Sequence, residues 1–272
     1  MRLRAFSLLL APSLLAPLFI APALGAQTIG PPYIEGMTWV EVHDAIQAGK
    51  KAVIIPTGGT EQNGPHMVLG KHNYIVTFVA GVIAQRLGNA LVAPTVQYVP
   101  EGDFNRPNFG DKPGVISNPS PTYDALLDAA ARSLRAHGFT EILLIGDSGG
   151  NQQGLTNVAN KLNEEWKGTG VRVFALTEYY AKSRVELRAW LLEKFGYDAA
   201  TAGSHAGITD TSQLLYIFPQ GIRKDRLMPN GGGPESGVNG DPTKATAEIG
   251  KQAVEFKVNA AIAQYNALKK SP

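Results

Sequence analysis

Apolar positions along this chain fall into two kinds of run. Short continuous runs, residues 52–55 and the Ile-Leu-Leu-Ile stretch within 141–145, are bounded by Gly, Pro or polar residues and read as strands buried on both faces. Residues 171–176 repeat that pattern, and residues 90–93 and 97–99 are shorter strand candidates. Between them apolar residues recur at helical spacing. Thr38 opens one such segment (Val40, Val42, Ala45, Ile46) that ends near Gly49. Others cover 74–87, stopped by Gly88, and 122–137, stopped by Gly138. Further helices are predicted over 152–166, after Leu176 to about Phe195, and over 243–268. Strands alternating with helices predict βαβ units, an α/β fold with a mainly parallel sheet covered on both faces.

The segments between these elements carry the polar chemistry. Residues 54–72 run from a strand through glycines into Glu61, Asn63, His66 and His72; 146–151 is a turn; 202–211 is a second polar loop. Residues 100–121 form a long loop without periodicity, and Phe104 and Arg106 there offer stacking and hydrogen bonding to a substrate. Ligands of open parallel sheets sit beyond the carboxyl ends of the strands, so the first three loops are expected to meet. Glu61, His66, His72, Asp147, His205 and Asp210 are oxygen or imidazole donors on those loops. They are either a metal site assembled from separate segments or scattered polar residues. Gly146-Asp147-Ser148-Gly149-Gly150 fits G-x-S-x-G after a buried strand, which makes Ser148 a candidate nucleophile, with His205 the only histidine after it. No Walker sequence and no G-x-G-x-x-G accompany the glycines.

Composition narrows the partners. The chain has 272 residues, 44% hydrophobic and 18% charged, with a net charge of +2, which suits one domain and no nucleic-acid partner. Two arginines, an apolar stretch and small residues within residues 1–26 read as a secretory signal, leaving a single domain over 27–272. The mature chain is thus expected to be exported, to the periplasm, with no membrane attachment. Cys is absent, which excludes disulfides, a thiolate nucleophile and Cys-based zinc binding.

The segment Pro56-Thr57-Gly58-Gly59-Thr60-Glu61-Gln62-Asn63-Gly64-Pro65-His66 resembles the P-x-G-S-x-E-Q-H-G-P-H block of the creatininase (creatinine amidohydrolase) family. In order, Gly114–Ser117 resembles its G-T-I-S, Leu144–Asn151 its strand ending in N-G-H-G-G-N, and residues 204–212 its H-A-G-E-x-E-T-S. The resemblance implies a three-layer α/β/α sandwich, a homo-oligomer and hydrolysis of amide C–N bonds at two metals. Several ligand positions depart from it. Glu61 keeps the first metal-binding Glu, but Asn63 replaces a histidine, His72 the bridging Asp and Ser148 the histidine of N-G-H-G-G-N. Ile208 replaces the first acid after H-A-G, and Asp210 retains the second. The implied site is one zinc or manganese ion on Glu61 and His72, with Asp210 or Asp147 as third ligand. His205 would shuttle a proton, and Asn63, His66, Phe104 and Arg106 would contact a small cyclic or linear amide. Two alternatives keep the fold: a non-catalytic small-molecule-binding protein, and a metal-free hydrolase using Ser148.

Overall fold

Strand runs without a polar face are explained by what covers them. The computed structural model describes residues 32–103, 105–107 and 112–270; the expected signal segment and Phe104 lie outside the described residues. In chain order the elements are α1 (Trp39–Gln47), β1 (Ala52–Thr57), α2 (Lys71–Leu87), β2 (Ala90–Val92), β3 (Gly102–Asp103) and β4 (Arg106–Pro107). There follow α3 (Ser120–Ala136), β5 (Glu141–Gly146), α4 (Gln152–Glu165), β6 (Arg172–Ala175), α5 (Ala181–Phe195), α6 (Ala199–Ala202), α7 (Ile208–Ile217) and α8 (Ala247–Lys270).

β2, β1, β5 and β6 form a parallel sheet in that order. Alternate residues of its central strands feed opposite cores: Ala52, Ile54, Leu143 and Ile145 one, Val53, Ile55, Ile142 and Leu144 the other. Both faces are dry, which is why the strands read as continuous apolar runs rather than alternating ones. α2 packs on the first face with α8, whereas α3 and α4 pack on the second. This is the expected α/β/α sandwich. No helix among the described residues is long and apolar enough to cross a membrane.

Local signals placed most boundaries. Thr38 caps α1 through a capping box with Glu41, and Gly88 ends α2 at φ 75°. Three expectations change. Residues 97–99 form no strand: Val99 makes a single bridge to Ser117, and Pro94 and Pro100 bracket the segment. α2 begins at Lys71, earlier than its apolar pattern, because Lys71 and His72 are buried among polar partners. The loop over 202–211 is shortened at both ends: α6 runs to Ala202, and α7 begins at Ile208. Asp210 thus lies in the first turn of α7, where its Oδ2 accepts the Ala206 N–H at 2.8 Å.

Candidate active site

β1 and β5 end side by side, with Thr57 opposite Gly146. The chain leaves β1 toward α2 on one face and β5 toward α4 on the other, so the two loops diverge and open a crevice between them. Asn151 Nδ2 ties them together by donating to Thr57 O (3.0 Å), Thr57 Oγ1 (2.9 Å) and Gly58 O (2.9 Å). Two glycines admit the loop that follows residue 99. A Cβ on Gly150 would lie 1.9 Å from Pro100 O, and one on Gly59 (φ 151°) would lie 2.0 Å from Glu101 Oε1. That close approach delivers Glu101 against Ser148.

Six ionic side chains interlock beneath the crevice. The His72 ring bonds through Nδ1 to Asp147 Oδ2 (2.7 Å) and through Nε2 to Glu61 Oε1 (2.8 Å). Lys71 Nζ lies 2.6 Å from Asp210 Oδ2 and 3.4 Å from Glu61 Oε1. Lys257 Nζ pairs with Asp147 Oδ1, which also accepts the Tyr179 hydroxyl at 2.8 Å. Burial opposes the charges of Glu61, Lys71, His72, Asp147 and Asp210, and the partners win. Glu61 is held down at about 2 by the His72 hydrogen bond and the Lys71 charge. Asp210 is also lowered against burial, by the Lys71 charge first, and Lys71 is raised, by Asp210 and Glu61. His72 is pushed down by burial and by Lys71, yet the bonds to Asp147 and Glu61 lift it to about 9. Both ring nitrogens face carboxylates, so His72 donates twice as an imidazolium.

A charged imidazolium has no lone pair for a metal, and Glu61, Asp147 and Asp210 each already pair with a lysine ammonium. The expected ligand set is therefore corrected. Glu61, His72, Asp147 and Asp210 do converge, but as ion pairs rather than a coordination shell. Among the described residues, no three His, Cys, Asp or Glu side chains are grouped to hold a metal ion. The donor set does not fit a divalent metal.

The expected substrate contacts also change. Asn63 is wholly buried and donates through Nδ2 to the carbonyls of Glu61, Val68 and Leu69, which makes it a clamp on its own loop. His66 Nε2 contacts Thr211 Oγ1 at 3.0 Å, away from the cavity lining. Arg106 lies in β4, in a two-stranded hairpin with β3.

The crevice leads to a cavity of about 240 Å³ lined by Ser148, Glu101, His205, Tyr180 and the ionic network. Ser148 Oγ donates to Glu101 Oε2 at 3.1 Å, and both residues are buried. Glu101 Oε1 is buried without a partner. Burial raises the Glu101 carboxyl to about 7, with the Glu61 charge adding to the effect and His72 opposing it. Gly149 and Gly150 line the same cavity just ahead of α4, whose positive dipole end is thus beside Ser148. His205 Nε2 is 2.8 Å from Gln62 O; burial lowers its pKa, which keeps the ring neutral, and its Nδ1 lies 3.6 Å from Glu61. At the mouth, Arg184 and Arg188 stand one turn apart on α5, and neither forms an ion pair among the described residues.

Four of these residues escaped the sequence reading: Glu101, Lys257, Arg184 and Arg188. Lys257 left a signal, because it sits on the buried stripe of α8 between Val254, Val258 and Ala261. A charge on such a stripe needs a buried partner. Glu101 left none, since only the glycine-mediated approach of its loop reveals its place.

His72 yields a direct expectation. Its folded pKa lies above its ordinary 6.5, so its stabilising contribution is complete below 6.5 and is lost as pH rises through about 9. Thermal melts across that interval should show stability falling, and a His72→Gln chain should show a flatter curve there. An equal slope in both would remove the charged imidazole from the network.

The profile of the family described as "Creatininase: Creatinine amidohydrolase" matches residues 35–265. The mycofactocin precursor peptide peptidase of Mycolicibacterium smegmatis is 28% identical over 229 residues, covering 76% of this chain and 81% of that protein. The creatinine amidohydrolase of Pseudomonas putida is 24% identical over 201 residues, covering 72% and 75%. A solved structure titled "Creatininase Mn" superposes with a TM-score of 0.70 at 22% identity, covering 88% of this chain and 99% of that one, a likeness of fold.

Proposed function

This chain belongs to the creatininase family, and from that premise we propose that it hydrolyses an amide C–N bond of a small carboxylate-bearing molecule, with Ser148 as nucleophile and Glu101 as its base. One observation carries the reading: the buried Ser148 Oγ–H donates to Glu101 Oε2 at 3.1 Å inside the cavity. A serine hydroxyl is a weak nucleophile until a neighbouring base takes its proton. A carboxyl near 7 is matched to that task, since both its forms are populated at neutral pH.

The steps balance within the chain. Ser148 Oγ bonds to the amide carbonyl carbon while its proton passes to Glu101. Charge developing on the carbonyl oxygen is favoured by the N-terminal end of α4 beside Ser148. The C–N bond then breaks, and Glu101 returns the proton to the leaving nitrogen. Water, deprotonated by Glu101, cleaves the Ser148 ester and restores both residues. The products are a carboxylic acid and an amine. His205 lines the same cavity, and its neutral ring would relay protons between water and the leaving group.

Substrate class follows from charge. Among the described residues the inner acids and bases pair with one another, which leaves Arg184 and Arg188 as the lining cations without an ion pair. Guanidinium groups favour carboxylates. Arg184→Gln should raise KM for a carboxylate-bearing amide by roughly 10-fold, the scale of one charge-assisted hydrogen bond, and leave kcat and neutral amides little changed. The test of the function is amine release from small N-acyl amino acids and carboxylated lactams by the purified protein in chelator. Binding of these compounds without turnover would favour the non-catalytic alternative.

A further inference from the structure

We infer that the ammonium groups of Lys71 and Lys257 are built-in counter-ions that take over the charge role of a divalent metal, so that this pocket is complete as a metal-free site. The resemblance assigns metal binding to Glu61 and Asp210. In this chain Lys71 Nζ lies between those same two carboxylates, 3.4 Å from Glu61 Oε1 and 2.6 Å from Asp210 Oδ2. The Lys71 side chain is 1% exposed and starts in the first turn of α2, so it is anchored at the site by the backbone rather than borrowed from the surface. A cation at a helix N-terminus runs against the macrodipole, and the two carboxylates offset that cost.

The second ammonium closes the other end. Lys257 Nζ bonds Asp147 Oδ1 and lies 4.9 Å from the Tyr179 ring centre, where the aromatic face adds attraction for a cation. His72 joins the two ends by bonding Glu61 on one side and Asp147 on the other. Three acidic groups, Glu61, Asp147 and Asp210, thus face three cationic ones, Lys71, Lys257 and His72. A divalent ion bound by these three carboxylates would compete with a lysine ammonium already paired to each of them. The displaced lysines would then be buried without a partner. Two lysines from elements far apart in sequence thus both aim at acids of one site.

This inference stands apart from the hydrolytic reading and is tested without an activity assay. The purified protein is analysed for metal content and melted with chelator, with Mn²⁺ and with Zn²⁺. The expected result is no stoichiometric metal and one melting temperature in all three conditions. Lys71→Ala should melt roughly 10 °C lower, the consequence of leaving two buried carboxylates without their cation. Lys257→Met carries the same expectation and keeps the test available if the first variant does not fold. One equivalent of metal in the wild-type protein, or a rise in its melting temperature with either ion, overturns the inference. So does either variant melting with the wild type.

Discussion

Ser148→Ala should abolish amide hydrolysis while leaving the fold intact. The hydroxyl lies in a cavity and donates one hydrogen bond, to Glu101, so its loss removes little packing. Loss of a catalytic nucleophile commonly lowers kcat by about 10⁴-fold or more. Glu101→Gln keeps the shape and removes the base, for an expected loss of about 10²- to 10⁴-fold. The pH profile separates the roles. Glu101 must be ionised to accept the Ser148 proton, so kcat/KM should rise with pH through about 7, where its carboxyl titrates. That rise should vanish in the glutamine variant. A serine variant with wild-type turnover would refute the assignment.

Asp147→Asn should cost more stability than any exposed substitution in the chain. Asp147 is 2% exposed and accepts from His72, Lys257 and Tyr179 together. An amide in its place leaves His72 and Lys257 as buried cations short of one negative charge. Removing one member of a buried ionic set costs about 3–5 kcal/mol, or roughly 10 °C in melting temperature for a domain of this size. The Asp147 carboxyl is lowered from its usual 3.8 despite burial, chiefly by the Lys257 charge and the His72 hydrogen bond. Its contribution is therefore present above 3.8 and lost as pH falls through the folded pKa. Acid titration of the wild-type protein should show that loss, and the asparagine variant should lack it. A melting temperature within a degree or two of wild type would mean that the network is not the support described.

The fold was largely legible because its signals are local. Apolar runs buried on both faces, the Thr38 capping box and the glycine stops at Gly88 and Gly138 each act within a few residues. The loops that meet at the strand ends were also legible, because the parallel-sheet rule places them. Which atoms pair there was not. Glu61, His72, Asp147 and Asp210 look like ligands in any reading by residue type, and the feature that changes their chemistry arrives from α8, 110 residues beyond Asp147. Lys71, which its residue type does not single out, becomes decisive once its partners are seen. Glu101 depends on Gly59 and Gly150 admitting a neighbouring backbone, a relation no spacing records.

The proposed hydrolysis turns on a covalent step at Ser148 without a metal. Chelator-treated protein exposed to a carboxylate-bearing activated amide, or to a serine-directed phosphonate, can be weighed intact and then mapped by peptide. The expected result is a single adduct on Ser148, formed much more slowly in Glu101→Gln. Unmodified protein, with hydrolysis appearing only when Mn²⁺ or Zn²⁺ is supplied, would contradict it.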